Sequence, residues 1–105
     1  MCLHVYKEVL QYFPIEERYE LASQIKRAAY SVALNIVEGC GRNTDNDFVH
    51  FLDMSLGSVH EVEYCAILAH DLNYPNKDQY EILFRKINDV KAMLIKLIKS
   101  IRKIN

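Results

Sequence analysis

The chain has 105 residues, 50% hydrophobic and 26% charged, with 3 Gly and 2 Pro, which describes one small domain over residues 1–105 and excludes a chain that stays disordered as a whole. Thirteen Lys and Arg oppose 14 Asp and Glu for a net charge of −1, so the surface is not a uniform polycation. No run of about 18 apolar residues exists to span a membrane, and the start MCLHVYKEVL lacks the basic-then-apolar plan of a secretory signal, so a cytoplasmic protein is expected.

Helical periodicity runs through the whole chain, and no stretch alternates with a period of two. A short opening helix carries Leu3, Tyr6, Leu10 and Phe13 on one face. Pro14 suits the start of a second helix, with Glu16 and Glu17 near its positive end. That helix, reaching Glu38, places Ala22, Ile25, Ala29, Val32 and Ile36 on a core stripe, while Tyr30, Leu34 and Val37 project from another side. Gly39 and Gly41 follow, where a left-handed C-cap favours glycine.

Thr44 with Asp47 resembles a capping box that opens a third helix. Its seam runs Phe48, Leu52, Ser55, Val59, Val62, Ala66 and Ala69 at alternating four and three, with Met54, Cys65, Leu68 and Leu72 beside it. Asn73, Tyr74 and Pro75 end it, and Asn76 with Gln79 offers another capping box. A last helix, about 77 to 104, carries Leu83, Ile87, Val90, Leu94, Leu97, Ile101 and Ile104 as a heptad seam.

Short connections force successive helices to lie antiparallel, so the expected fold is all-α: an up-down-up-down four-helix bundle with a short first helix. At about 1.5 Å per residue the last helix is near 40 Å long, and the first is under half that. Ile98, Ile101 and Ile104 are therefore expected to lack a partner within the chain, so that another subunit covers them or the natural chain begins upstream of Met1. Surplus apolar faces on the second and third helices also point to self-association.

Catalytic and metal chemistry find little support. His50, His60 and His70 lie ten residues apart on one helix, which sets them about 80° apart around its axis, and they do not converge on an ion. Asp47 and His50 give a single copy of the carboxylate-x-x-His spacing that di-iron bundles use in pairs. Ser58 and His60 point in different directions on their helix. Cys2, Cys40 and Cys65 match neither a disulfide framework nor a zinc site. No glycine-rich phosphate loop opens a helix. No enzyme activity, cofactor or metal is expected.

Charge is distributed unevenly. Residues 81–105 carry net +5 and the rest of the chain −6. Arg85, Lys96, Lys99 and Lys103 share the sector opposite the last helix's seam, with Lys91 and Arg102 on its flank. Such a ridge suits salt-dependent contact with phosphates, and a solvated bundle face is the plainer reading of it. No aromatic residue interleaves it for base stacking. A polar set lies on the second and third helices: Arg27, Ser31, Asn35 and Glu38, with Ser58 and Glu61 beside Gly57. Either an Arg27–Glu61 pair flanked by satisfied Asn35 and Ser58 fixes register, with Gly57 allowing close helix approach, or these are separately solvated side chains.

Phe13-Pro14, Glu17, Leu21 and Gln24 lead into SQIKRAAYSVALNIVEGCGR, followed by Asp47-Phe48, Phe51-Leu52, Gly57-Ser58 and Glu61. Over nearly the whole chain this resembles the four-helix-bundle family of proteins encoded by intervening sequences in bacterial 23S ribosomal RNA genes. That family is similar in turn to the accessory variability determinants of diversity-generating retroelements, pentameric barrels that bind reverse transcriptase and nucleic acid. The resemblance implies a homo-oligomer, a pentamer, with no established enzymatic activity. Its motif positions here are Arg27, Ser31, Asn35, Glu38, Gly39, Arg42, Gly57, Ser58 and Glu61. Two departures stand out: the first helix is shorter than the family's, and the chain is near neutral where the retroelement proteins are strongly basic. The function expected is a binding scaffold that touches RNA or a nucleic-acid-processing protein through Arg42, Arg85, Lys91, Lys96, Lys99, Arg102 and Lys103. The alternative is a protein–protein interaction module indifferent to nucleic acid.

Overall fold

The structure, a computed structural model, describes residues 1, 4, 21, 23–71 and 77–104. Among the described residues the fold is all-α, with three helices and no strand: α1 (Ser23–Cys40), α2 (Asp45–Asp71) and α3 (Lys77–Ile104). The expected opening helix, the Pro14 start and the Asn73-Tyr74-Pro75 stop lie outside the described residues. Met1 packs on the core, and His4 Nε2 lies 3.3 Å from the carbonyl of Gln79 near the start of α3.

α2 is the central helix, with α1 packed on one flank and α3 on the other. Both pairings are antiparallel: Ser31 and Val32 of α1 bond Ser58 and Ser55 of α2, and Asp53 and Glu63 of α2 meet Arg102 and Lys91 of α3. Thr44 caps α2 as the sequence indicates, its hydroxyl accepting the amide N–H of Asp47 at 3.2 Å.

The seams follow the sequence closely in α1 and α2. Ile25, Ala29, Leu52, Val59, Val62, Ala66 and Ala69 are fully buried. Cys65, placed beside the seam by sequence, belongs to the core at 3% exposure.

In α3 the four-three pattern holds through Leu83, Ile87, Val90 and Leu94 and then shifts. Ile98 is buried at 4% and Leu97 is 37% exposed. A straight helix drifts by about 20° per heptad against a strict seven-residue repeat, so the fourth turn presents the next residue. Ile98 therefore packs within its own chain, with Ile101 against the same core, and does not wait for another subunit. The side chain of Ile104 lies outside the described residues.

Gly39 and Gly41 play different parts from those expected. α1 continues through Gly39 to Cys40, and neither glycine takes a left-handed conformation. The turn closes with the amide of Gly41 donating to the carbonyl of Glu38 and that of Arg42 to Gly39. What Gly39 supplies is room: a Cβ there would lie 2.9 Å from Phe48 Cδ1 and 3.0 Å from Phe51 Cβ. The close approach assigned to Gly57 is thus made at Gly39, and a Cβ on Gly57 would meet nothing within 4 Å.

Candidate functional site

The polar set forms at the α1–α2 contact, but with a different centre. Asn35, nearly buried, donates from Nδ2 to the carbonyl of Ser31 at 2.9 Å and to Ser31 Oγ at 3.0 Å. The Ser58 hydroxyl has Ser31 Oγ at 2.9 Å and the Met54 carbonyl at 3.2 Å as acceptors. One turn away, the buried Ser55 hydroxyl donates to the Val32 carbonyl at 2.8 Å. A chain of neutral groups with Ser31 at its hub therefore sets the register of α1 on α2.

The Arg27–Glu61 pair does not form. Arg27 and Glu61 line the same open groove with Gln24, Tyr30, Ser31 and Leu34. The guanidinium turns back along its own helix, its Nη2 lying 3.4 Å from Ser23 Oγ. At i and i+4 on one helix that contact is available without any movement of α2 toward α1. Glu38 likewise pairs along its helix, with Arg42 at 3.4 Å, and the Arg42 guanidinium lies 4.5 Å from the centre of the Phe51 ring.

The basic residues of α3 divide into two groups. Lys91 donates to Glu63 at 2.7 Å across the α2–α3 seam, and Arg102 pairs with Asp53. These flanking cations, with Arg42, hold the fold together as well as adding charge. Arg85, Lys96, Lys99 and Lys103 are exposed, and none is paired with a carboxylate among the described residues. Helical spacing puts Lys96 and Lys103 about 10 Å apart along the axis, with Lys99 between them.

The three histidines stay separate. His50 meets the edge of Phe51, His60 approaches Glu63, and His70 lies against Tyr80 with ring centres 4.5 Å apart. No three His, Cys, Asp or Glu side chains cluster to hold a metal among the described residues, and no helix of theirs is long and apolar enough to cross a membrane.

Sequence reasoning missed the junction of α2 and α3. Tyr80, 3% exposed, accepts the backbone N–H of His70 at 3.0 Å and stacks on Phe84. Burial pushes its phenol well above the ordinary tyrosine range, against the opposing pull of that N–H. Burial also raises the Cys65 thiol, helped by the Glu61 carboxylate. The aromatic i, i+4 spacing of Tyr80 and Phe84 was the available signal.

The arrangement defines an all-α protein whose polar contacts serve helix registration, with one outward cationic ridge. A family model places it: the 23S rRNA-intervening sequence protein model matches residues 1–96, and the chain belongs to that family. It is also similar to a protein of unknown function from the S23 ribosomal protein family of Bacteroides thetaiotaomicron, known from its crystal structure. The two share 29% identity over 76% of this chain and 71% of that one, with a TM-score of 0.74. No curated protein matches the chain significantly.

Proposed function

We propose that the protein is a non-catalytic, self-associating four-helix bundle of the bacterial cytoplasm that contacts RNA through the last helix, with five subunits as the assembly the retroelement likeness favours. The observation that carries the RNA contact is the division among the cations of α3. Arg85, Lys96, Lys99 and Lys103 are exposed and none closes an ion pair among the described residues, although Glu81 and Asp89 flank Arg85 at one turn, whereas Lys91 and Arg102 close ion pairs with α2. A row of exposed cations on one helix suits contact with phosphates and reads no sequence. Lys91, Arg102 and Arg42, each already paired with a carboxylate, add little to that contact.

Titration of a structured RNA at two salt concentrations tests this. If four ridge cations each neutralise a phosphate on a duplex, log affinity falls against log salt with a slope of about −3 to −4. Lys96→Glu with Lys99→Glu removes at least half of that slope. Absence of binding at low salt leaves the second reading, a protein–protein module, which the exposed Tyr30, Leu34 and Val37 favour.

A further inference from the structure

Where the start of α2 meets the end of α3, five side chains line an open groove of about 420 Å³: Asn46, Val49, His50 and Asp53 of α2 and Arg102 of α3. That volume falls within the range of small-ligand sites, roughly 300–1,000 Å³. Val49, 7% exposed, supplies an apolar floor, and the other four are exposed polar side chains around it. They differ in kind: a carboxamide that donates and accepts, a flat imidazole, a carboxylate that accepts and a guanidinium that donates. Arg102 spends part of its donor set on Asp53 and keeps the rest, and the Asp53 carboxylate has lone pairs to spare. Lys99, without an ion pair among the described residues, lies one turn before Arg102 on the same side of α3.

We infer that this groove receives one unpaired guanine of an RNA strand whose neighbouring phosphates lie on Lys99 and Lys103. A phosphate is a poor occupant of the groove itself, because Asp53 and, one turn before His50, Asp47 put carboxylates there. A neutral base with donors and acceptors side by side suits it. Guanine alone among the four bases sets two adjacent N–H donors, N1–H and the 2-amino group, beside the acceptors O6 and N7. The donors match the Asp53 carboxylate, and the acceptors match the remaining N–H groups of Arg102. The ridge carries no aromatic residue, and His50 brings from α2 the flat ring on which an unpaired base stacks. A base inside a duplex does not reach the groove, since its edge is taken by its partner and its faces by its neighbours. A free nucleotide is the weaker occupant, because the cations that hold phosphates stand outside the groove, in a row that a strand follows. The site rests on the RNA contact proposed above and adds which element of the RNA is read, since the ridge by itself reads no sequence.

Binding of two RNA hairpins to the full chain tests the groove. They are identical except at one position of an otherwise all-uridine loop, guanine in one and adenine in the other. The guanine hairpin is expected to bind about five- to tenfold tighter at low salt, the lower end of what a bidentate base contact gives because the groove is open. His50→Ala and Asp53→Asn, both at exposed positions, are each expected to keep full helical circular dichroism and to bring the two hairpins to equal affinity. His50→Ala is also expected to leave unchanged the salt slope on a fully paired duplex, which the ridge alone sets. Equal affinity of the parent for the two hairpins overturns the groove and leaves the ridge standing, as does a guanine preference that survives both substitutions. Loss of duplex binding in His50→Ala to the same extent as loss of the guanine hairpin overturns the groove as a separate site. Guanosine monophosphate binding as tightly as the guanine hairpin overturns the RNA strand as its occupant. Absence of any RNA binding at low salt overturns groove and ridge together.

Discussion

Replacing Gly39 with Ala places two effects in opposition at one atom. Ala is the better helix former by about 1 kcal/mol, and Gly39 lies inside α1, one residue before its end. Against that, the new Cβ arrives 2.9 Å from Phe48 Cδ1 and 3.0 Å from Phe51 Cβ. The Phe48 ring can turn aside, but Phe51 Cβ is fixed to the backbone of α2, so relief requires the two helices to separate. Overpacking of that kind costs about 1–3 kcal/mol, and the helix gain is smallest at a terminus, so the net expectation is a loss of about 1–2 kcal/mol. For a domain of this size that is a fall of about 4–16 °C in Tm. Denaturant unfolding followed by far-ultraviolet circular dichroism, at two protein concentrations to separate out association, measures it. Phe48→Leu in the Gly39→Ala background should recover part of the loss. A Gly39→Ala protein as stable as the parent would refute the idea that this glycine is there for space.

Two further tests follow from the α2–α3 seam. The Tyr80 phenol stays protonated in the folded chain where an unfolded tyrosine ionises, near pH 10. Its contribution to stability is therefore complete below about pH 10 and declines as pH rises above it. Tyr80→Phe should flatten the alkaline fall in the urea midpoint, and parallel curves for parent and variant would exclude the buried phenol as its source. Glu63→Gln should destabilise by about 1 kcal/mol, since the Lys91 pair is only a quarter exposed, and Asp53→Asn by about 0.5 kcal/mol or less, because its pair with Arg102 is open to solvent. A double-mutant cycle on each pair measures both, and equal coupling energies would contradict the ranking.

Periodicity in the sequence located α1, α2 and α3 because each buries one continuous stripe, and even Ser55 fell on the seam, its hydroxyl satisfied by the Val32 carbonyl. The pattern failed at Leu97 and Ile98, where an ideal heptad and a straight helix part company. The glycines were harder. Gly39 and Gly57 look alike in sequence, and what distinguishes them is whether Phe48 and Phe51 stand opposite, which depends on how α1 meets α2. Arg27 and Glu61 shared a face as expected, but proximity on a face does not fix which rotamer the guanidinium adopts, and Ser23 lay closer at hand. The ridge was fully legible as charge, while the engagement of Lys91 and Arg102 with α2 depended on the rotation of α3 about its own axis.

The two seams of this bundle answer differently to electrolyte. Between α1 and α2 the polar fastening is a hydroxyl–amide relay with no formal charge, which dissolved ions do not screen. Between α2 and α3 the neutral His70–Tyr80 hydrogen bond is joined by carboxylate against ammonium and guanidinium, which they do screen. Raising ionic strength therefore weakens the two ion pairs that moor the helix bearing Lys96, Lys99 and Lys103, leaving its apolar packing and the α1–α2 relay unscreened.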